Sequence, residues 1–182
     1  INPQNPVINL LFARLEIAKG DIKKAKEYTF KAIKQKQNYL DAYFLLSQLE
    51  VADNNLKGAI DSVSVATIID PSNPSIYFQL GLLKYNNGDY TGAVDAFNKS
   101  IQFAPDYANA RYFLGLSLYQ IGDKASAIKQ FQDLQRTNPD SLEVKSILSN
   151  LLSGKSPFAD AKSEINSKPE KRKTLPVKEN EQ

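Results

Sequence analysis

The sequence contains no cysteine, histidine, methionine or tryptophan among its 182 residues. Without cysteine there is no disulfide framework, no thiol nucleophile and no cysteine-ligated zinc site. The sequence therefore does not indicate the redox compartment of the protein. Without histidine the protein lacks the commonest general base and the commonest metal ligand, so a Ser-His-Asp catalytic arrangement is excluded. Both absences argue against catalysis.

Long hydrophobic runs and phosphate-binding loops are missing as well. No stretch of 18 apolar residues is present to span a membrane. No positively charged start is followed by an apolar core and a small-residue cleavage site, so we expect no secretory signal in this segment. No glycine-rich loop of the nucleotide-binding types occurs. The net charge is only +3, and no basic patch with interleaved aromatics is present. We therefore expect no enzymatic activity, no cofactor, no nucleic-acid partner and no direct membrane insertion by this segment.

What the sequence does contain is a repeat with a period of 34 residues. Apolar residues, small residues, a turn pair, alanines and prolines each recur at that step. The five columns are Phe12, Leu46, Leu80 and Leu114; Ala13, Ser47, Gly81 and Gly115; Gly20-Asp21, Asn54-Asn55, Gly88-Asp89 and Gly122-Asp123; Ala25, Ala59, Ala93 and Ala127; and Pro71, Pro105 and Pro139. Independent columns at one common spacing indicate an array of structural repeats.

Each period fits two helices of about a dozen residues joined by a short turn. Glycine ends the first helix, the following Asp caps the second, and small residues lie where the two helices cross. The pattern predicts first-position helices over about 7–19, 40–53, 74–87 and 107–121. It predicts their partners over about 22–36, 56–69, 90–103 and 124–137, and a last helix over about 142–153.

The repeat resembles the tetratricopeptide (TPR) family. The third repeat carries the family's positions at Leu80-Gly81, Gly88-Asp89-Tyr90, Ala93, Phe97 and Pro105, and the fourth at Leu114-Gly115, Gly122-Asp123, Ala127, Phe131 and Pro139. The resemblance covers residues 1 to about 153 and implies an all-α, right-handed α-solenoid of four helix–turn–helix repeats. Three charged residues, Glu16, Glu50 and Lys84, stand where the family prefers tyrosine.

Repeat boundaries then fall at 6–39, 40–73, 74–107 and 108–141, followed by a capping helix over 142–153. The cap has an apolar side, formed by Leu142, Val144, Ile147, Leu148, Leu151 and Leu152. Its polar side, predicted to face solvent, holds Glu143, Ser146, Asn150 and Ser153.

Both ends of the sequence differ from the repeats. Residues 154–182 are rich in Lys, Glu, Ser and Pro, and we expect a disordered polar tail that packs against nothing. Residues 1–5 look like the end of a preceding repeat, so we expect the sequence to continue a longer protein.

TPR solenoids bind partners in a concave groove lined by their first-position helices. By the resemblance, the groove holds Arg14, Asp41, Phe44, Gln48, Phe78, Leu82, Tyr85, Asn86, Asn109, Tyr112, Leu116, Tyr119 and Gln120. Only Arg14 fits the pattern by which some TPR domains clamp a C-terminal carboxylate. An aromatic, nearly uncharged groove suits an apolar peptide segment, extended or helical. The alternative is that Phe44, Phe78 and Tyr112 serve packing between repeats.

A second surface feature is the lysine-rich helix predicted over 22–36. Its lysines, together with one just beyond it, are Lys23, Lys24, Lys26, Lys31, Lys34 and Lys36. We interpret them as a solvated convex face, and a site for an anionic partner is the alternative.

The function favoured by these features is a scaffold that binds a protein or peptide partner of unknown identity through the groove. The alternative is a structural spacer or self-association appendage of a larger bacterial protein, including membrane-bound proteins such as polysaccharide polymerases. A soluble, cytoplasmic or membrane-tethered location is compatible with either.

Overall fold

The computed structural model describes residues 5–159 and 176–177 of the chain. Within this part the backbone forms nine helices and no strand: α1 Pro6–Ala18, α2 Ile22–Gln35, α3 Leu40–Ala52, α4 Leu56–Ile69, α5 Pro74–Asn86, α6 Tyr90–Phe103, α7 Ala108–Gln120, α8 Lys124–Thr137 and α9 Leu142–Leu152. Every predicted helix is present and its bounds differ by at most one residue. The all-α helical-repeat class is confirmed. None of these helices is long and apolar enough to cross a membrane.

The chain divides into two compact units, Ile1–Ile76 and Tyr77–Gln182. Unit 1 contains α1 to α4 and the first three residues of α5, and unit 2 contains the rest of α5 with α6 to α9. Each has its own hydrophobic cluster. Aliphatic and alanine side chains dominate in unit 1, whereas phenylalanine and tyrosine rings are prominent in unit 2.

The turns inside the helix pairs follow the predicted chemistry. Gly88 adopts a φ of 82°, in the left-handed region that glycine tolerates best, and Asn54 takes the same role with a φ of 57°. The next residue caps the following helix, as Asp123 does by accepting the backbone N–H of Ser126 at 3.0 Å. That hydrogen bond holds the pKa of the Asp123 carboxyl below its usual value. The turns therefore fix the direction in which each second helix leaves its partner.

Unit 2 depends on close crossings at the small-residue column. A Cβ atom added to Gly81 would lie 2.5 Å from Cε1 of Phe97, and one added to Gly115 would lie 2.7 Å from Cε2 of Phe131. Both distances are far inside van der Waals contact, so only glycine lets these rings approach the helix backbone. The Phe97 and Phe131 side chains are fully buried as a result.

Unit 1 contains charged contacts where the family prefers tyrosine. Lys26 of α2 donates to the Glu50 carboxylate of α3 at 2.9 Å and to Asp53 at 2.7 Å, and Glu50 also accepts from the Asn55 side chain. Burial is the largest single influence on the pKa of Lys26 and lowers it. The hydrogen bonds that Lys26 donates to Asp53 and Glu50, together with the attraction of their charges, outweigh burial and raise the pKa above normal. The prediction that every lysine of this helix is solvated is wrong for Lys26, whose side chain is 17% exposed.

The last helix and the tail also need correction. In α9, Leu142 and Leu152 are exposed although they were assigned to the apolar side. Asn150 was predicted to face solvent, yet it is buried and donates through Nδ2 to the Pro157 carbonyl at 3.1 Å. The tail was expected to pack against nothing, but Pro157 and Val177 are both buried. Residues 160–175 and 178–182 of the predicted tail lie outside the described part, as do residues 1–4.

We expect Gly115→Ala and Gly81→Ala to destabilise the protein, although alanine favours helix more than glycine does. The added methyl group overlaps a buried ring, and overpacking of this kind costs about 1–3 kcal/mol. Ser149→Ala is the control, because it exchanges one small exposed side chain for another within α9. Urea unfolding followed by circular dichroism measures all three variants. Equal stability of the Gly115→Ala and Ser149→Ala variants would contradict the crossing.

Candidate functional site

The predicted groove residues divide between the two units. Four of them belong to unit 1, where Arg14, Asp41, Phe44 and Gln48 line one cleft between α1 and α3, together with Ile17 and Leu45. The cleft has a volume of about 390 Å³. Arg14, Asp41 and Gln48 are exposed, and Phe44 is half-buried. One cation, one anion, one amide and an aromatic ring give this cleft mixed polarity, without the cluster of cations that a carboxylate clamp needs.

In unit 2 the two predicted anchor rings belong to the core. Phe78 is 7% exposed, and its ring centroid lies 4.8 Å from that of Tyr107 and 6.1 Å from that of Phe113. Tyr112 is fully buried, packs edge-on against Phe131, and donates its hydroxyl hydrogen to the Glu143 carboxylate. At these two positions the structure supports the packing alternative, because a buried ring presents no surface to a partner.

The other unit 2 residues of the predicted groove differ in exposure. Leu116 is buried, Gln120 is exposed, and Leu82, Asn86 and Tyr119 are half-buried. Tyr85 is also half-buried and meets Tyr90 and Phe113 edge-on, at centroid distances of 5.4 Å and 6.0 Å. Leu82, Tyr85 and Tyr119 pack against the hydrophobic cluster of unit 2 and keep part of their own surface in contact with solvent.

The Asn109 side chain forms two hydrogen bonds with a residue that is distant in the sequence. Asn109 is the second residue of α7, and its side chain pairs with the main chain of Val177, 68 positions further along the sequence. The Asn109 Nδ2 group donates to the Val177 carbonyl at 2.8 Å, and the Val177 N–H donates to Asn109 Oδ1 at 3.1 Å. Both residues are buried, with Val177 3% exposed. One side chain thus satisfies both main-chain groups of a peptide residue.

The chemistry of asparagine explains this pairing. Its planar amide presents a donor on one atom and an acceptor on the other, whereas an ionised carboxylate only accepts. Exchange of both hydrogen bonds with one residue is also what a neighbouring antiparallel strand provides. The equivalent positions 34 and 68 residues earlier are Ser75 and Asp41. Among the second, third and fourth repeats, only the fourth therefore has an amide side chain at this position. That amide provides a donor and an acceptor on separate atoms.

The sequence identified Asn109 but missed its partner. Asn109 was predicted from its repeat position as a polar residue of the groove. Val177 lies in a stretch assigned to a polar tail, and the available signal was the short apolar run Leu175-Pro176-Val177 between polar neighbours. Nothing local in that run specifies which part of the fold it contacts.

Comparison with known proteins agrees with the repeat assignment. The tetratricopeptide repeat family model matches residues 78–141. No curated protein sequence matches the chain. The family model thus supports the tetratricopeptide assignment for residues 78–141, which contain most of the third and fourth predicted repeats.

Several solved structures share the fold at low sequence identity. A MamA protein matches with a TM-score of 0.74 and 21% identity over 82% of this chain and 81% of its own. YrrB, described as a TPR protein with an unusual peptide-binding site, matches with a TM-score of 0.71 and 18% identity over 84% of this chain and 79% of its own. PilF of Pseudomonas aeruginosa matches with a TM-score of 0.65 and 20% identity over 82% of this chain and 68% of its own. These likenesses concern the fold alone.

We expect Phe78→Ser and Tyr112→Ser to destabilise the fold strongly, because each leaves a cavity and a polar group among buried rings. Removal of a buried aromatic side chain costs about 3–5 kcal/mol. Gln120→Ser, at an exposed position near the end of α7, is the control and should melt like the parent. Thermal unfolding followed by circular dichroism distinguishes the variants. A parent-like melting temperature for Tyr112→Ser would return that ring to the list of candidate binding residues.

Proposed function

We propose that this protein is an interaction module and that the Asn109 site of unit 2 binds a peptide segment of a partner. The observation that carries the proposal is the two-fold pairing of Asn109 with the N–H and C=O of Val177. A site that already holds one residue of a polypeptide in this manner has the chemistry to hold another.

The surroundings of Asn109 support an apolar ligand. The valine side chain at the site is buried and belongs to the hydrophobic cluster that fills unit 2. Main-chain hydrogen bonds supply affinity that does not depend on sequence, and the apolar contact supplies preference for a side chain, as in other modes of peptide recognition. The peptide-binding site named for YrrB is consistent with this use of the fold.

We expect recognition of the partner not to involve its C-terminal carboxylate. Arg14 is the one basic residue among the predicted groove positions, and it lies in the cleft of unit 1. The residue that pairs with Asn109 is Val177, which is followed by further residues and has no terminal carboxylate of its own. The proposed ligand is therefore an internal segment of a protein and not its C-terminus.

We expect Asn109→Ala to weaken peptide binding by up to about 30-fold, because two hydrogen bonds of about 1 kcal/mol each are lost. Peptides selected from a random display library against the full chain provide the ligands, and fluorescence anisotropy measures their Kd. The control exchanges Lys23 and Lys24, both exposed on α2, for Gln and should leave Kd unchanged.

Two results would contradict the peptide site. Selected peptides that bind the Asn109→Ala variant as tightly as the parent would place recognition elsewhere. Loss of binding on Arg14→Ala, with Asn109→Ala unaffected, would assign recognition to the cleft of unit 1.

A second candidate function, self-association, is favoured by the exposed face of α1. Val7, Leu11 and Leu15 follow one another at four-residue spacing and are 52%, 60% and 48% exposed, with Phe12 beside them. Adjacent exposed apolar residues of this size mark surfaces that bind another protein. A second copy of the chain would cover the face.

The self-association candidate predicts that the protein sediments as a dimer and that Leu11→Glu converts it to a monomer by placing a charge in the interface. Ile121→Glu is the matched control, since Ile121 is 45% exposed and lies at the end of α7. Analytical ultracentrifugation of the full chain measures the mass. A parent that sediments as a monomer at the highest concentration reached would remove this candidate.

A further inference from the structure

The occupant of the Asn109 site is a segment of the chain itself. Val177 reaches α7 from a point 68 residues away in sequence, and it provides both main-chain groups to the Asn109 amide. Its side chain is 3% exposed, so the apolar part of the site is filled as well. An incoming peptide therefore meets a site whose hydrogen-bonding groups and apolar contact are already in use.

We propose that Pro176–Val177 is an intramolecular ligand of the Asn109 site, and that a partner binds by displacing it. The partner segment has the same chemistry: it is internal to its chain and has a small aliphatic side chain at the paired residue. The inference rests on the proposed peptide site and adds the identity of its resident competitor.

Size and branching define the preferred residue. Valine is β-branched and short, and it loses little side-chain entropy when it is held in one rotamer. Because Val177 is almost completely buried, its side chain lies beneath the protein surface and does not extend along it. A charged side chain at this position would lose its hydration without a partner, so aspartate or lysine is excluded from it.

The tether makes the resident segment an effective competitor. Sixteen residues, 160–175, connect Ala159 to Pro176. A short tether generally gives an effective concentration on the order of 1 mM. If the free segment binds with a Kd of about 100 μM, the tethered copy raises the apparent Kd of an outside peptide about tenfold.

The test uses the full chain and a labelled synthetic peptide with the sequence of residues 171–182. Val177→Asp frees the site in the chain without changing Asn109, and Ser156→Asp, at an exposed position, is the matched addition of one negative charge. Fluorescence anisotropy should give a Kd about tenfold lower for Val177→Asp than for the parent and for Ser156→Asp. Asn109→Ala added to Val177→Asp should weaken binding about 30-fold, and a Val177→Asp version of the peptide should not bind.

The outcomes separate the two proposals. If Val177→Asp and the parent bind the peptide equally and Asn109→Ala weakens binding to both about 30-fold, the peptide site stands and the intramolecular competitor is overturned. If Val177→Asp with an intact helical signal binds no peptide, the proposed peptide site fails, and the inference fails with it.

A second measurement follows the tail without any added ligand. Amide hydrogen exchange at Val177 should speed up in Asn109→Ala and in Asn109→Asp, which keeps the acceptor and loses the donor. Two variants are used so that a folding defect in one leaves the other informative. Exchange at Val177 as fast as in an unstructured peptide in the parent would overturn the inference. Protection that rises with protein concentration would overturn it too, because the segment would then bind a second copy.

Discussion

The arrangement of unit 2 depends on the contact between a glycine backbone and a phenylalanine ring. Gly81 and Gly115 leave just the room that the rings of Phe97 and Phe131 occupy. Phe97 also stacks on Phe113 of α7, with a centroid distance of 6.0 Å, so one ring joins α5, α6 and α7. The start of α7, where Asn109 lies, is therefore positioned by the same contact that closes the helix pair.

Unit 1 meets the same geometric demand with different chemistry. Its small-residue column holds Ala13 and Ser47, both buried, and the ion pair of Lys26 with Glu50 joins α2 to α3. Both charged groups of a partly buried ion pair lose hydration, so the pair contributes less net stability than its short distance suggests. It also disfavours helix arrangements in which one of the two charges would be buried without the other. The two units thus share helix lengths and turns while they differ in what holds the helices together.

The sequence predicted what the chain determines locally and left open what distant segments determine. Helix bounds, the left-handed turn residues and the small-residue crossings follow from spacing and side-chain size within one repeat, and the structure agrees with them to within a residue. Asn109 was also identified, because its position in the repeat is fixed. By contrast, the burial of Val177 arises from a contact 68 residues away, and the pairing of Lys26 with Glu50 joins neighbouring repeats. Periodicity holds no information about either contact.

The pairing at Asn109 has a consequence for how such a site would evolve. Its amide recognises an N–H and a C=O, which every residue except proline presents. Mutations in the bound segment are therefore tolerated as long as they spare one aliphatic side chain and avoid proline at the paired residue. The protein side has no such freedom, since an exchange of the amide for a carboxylate or a methyl group removes the donor. A recognition site of this kind would remain constant over generations while its ligands drift apart in sequence.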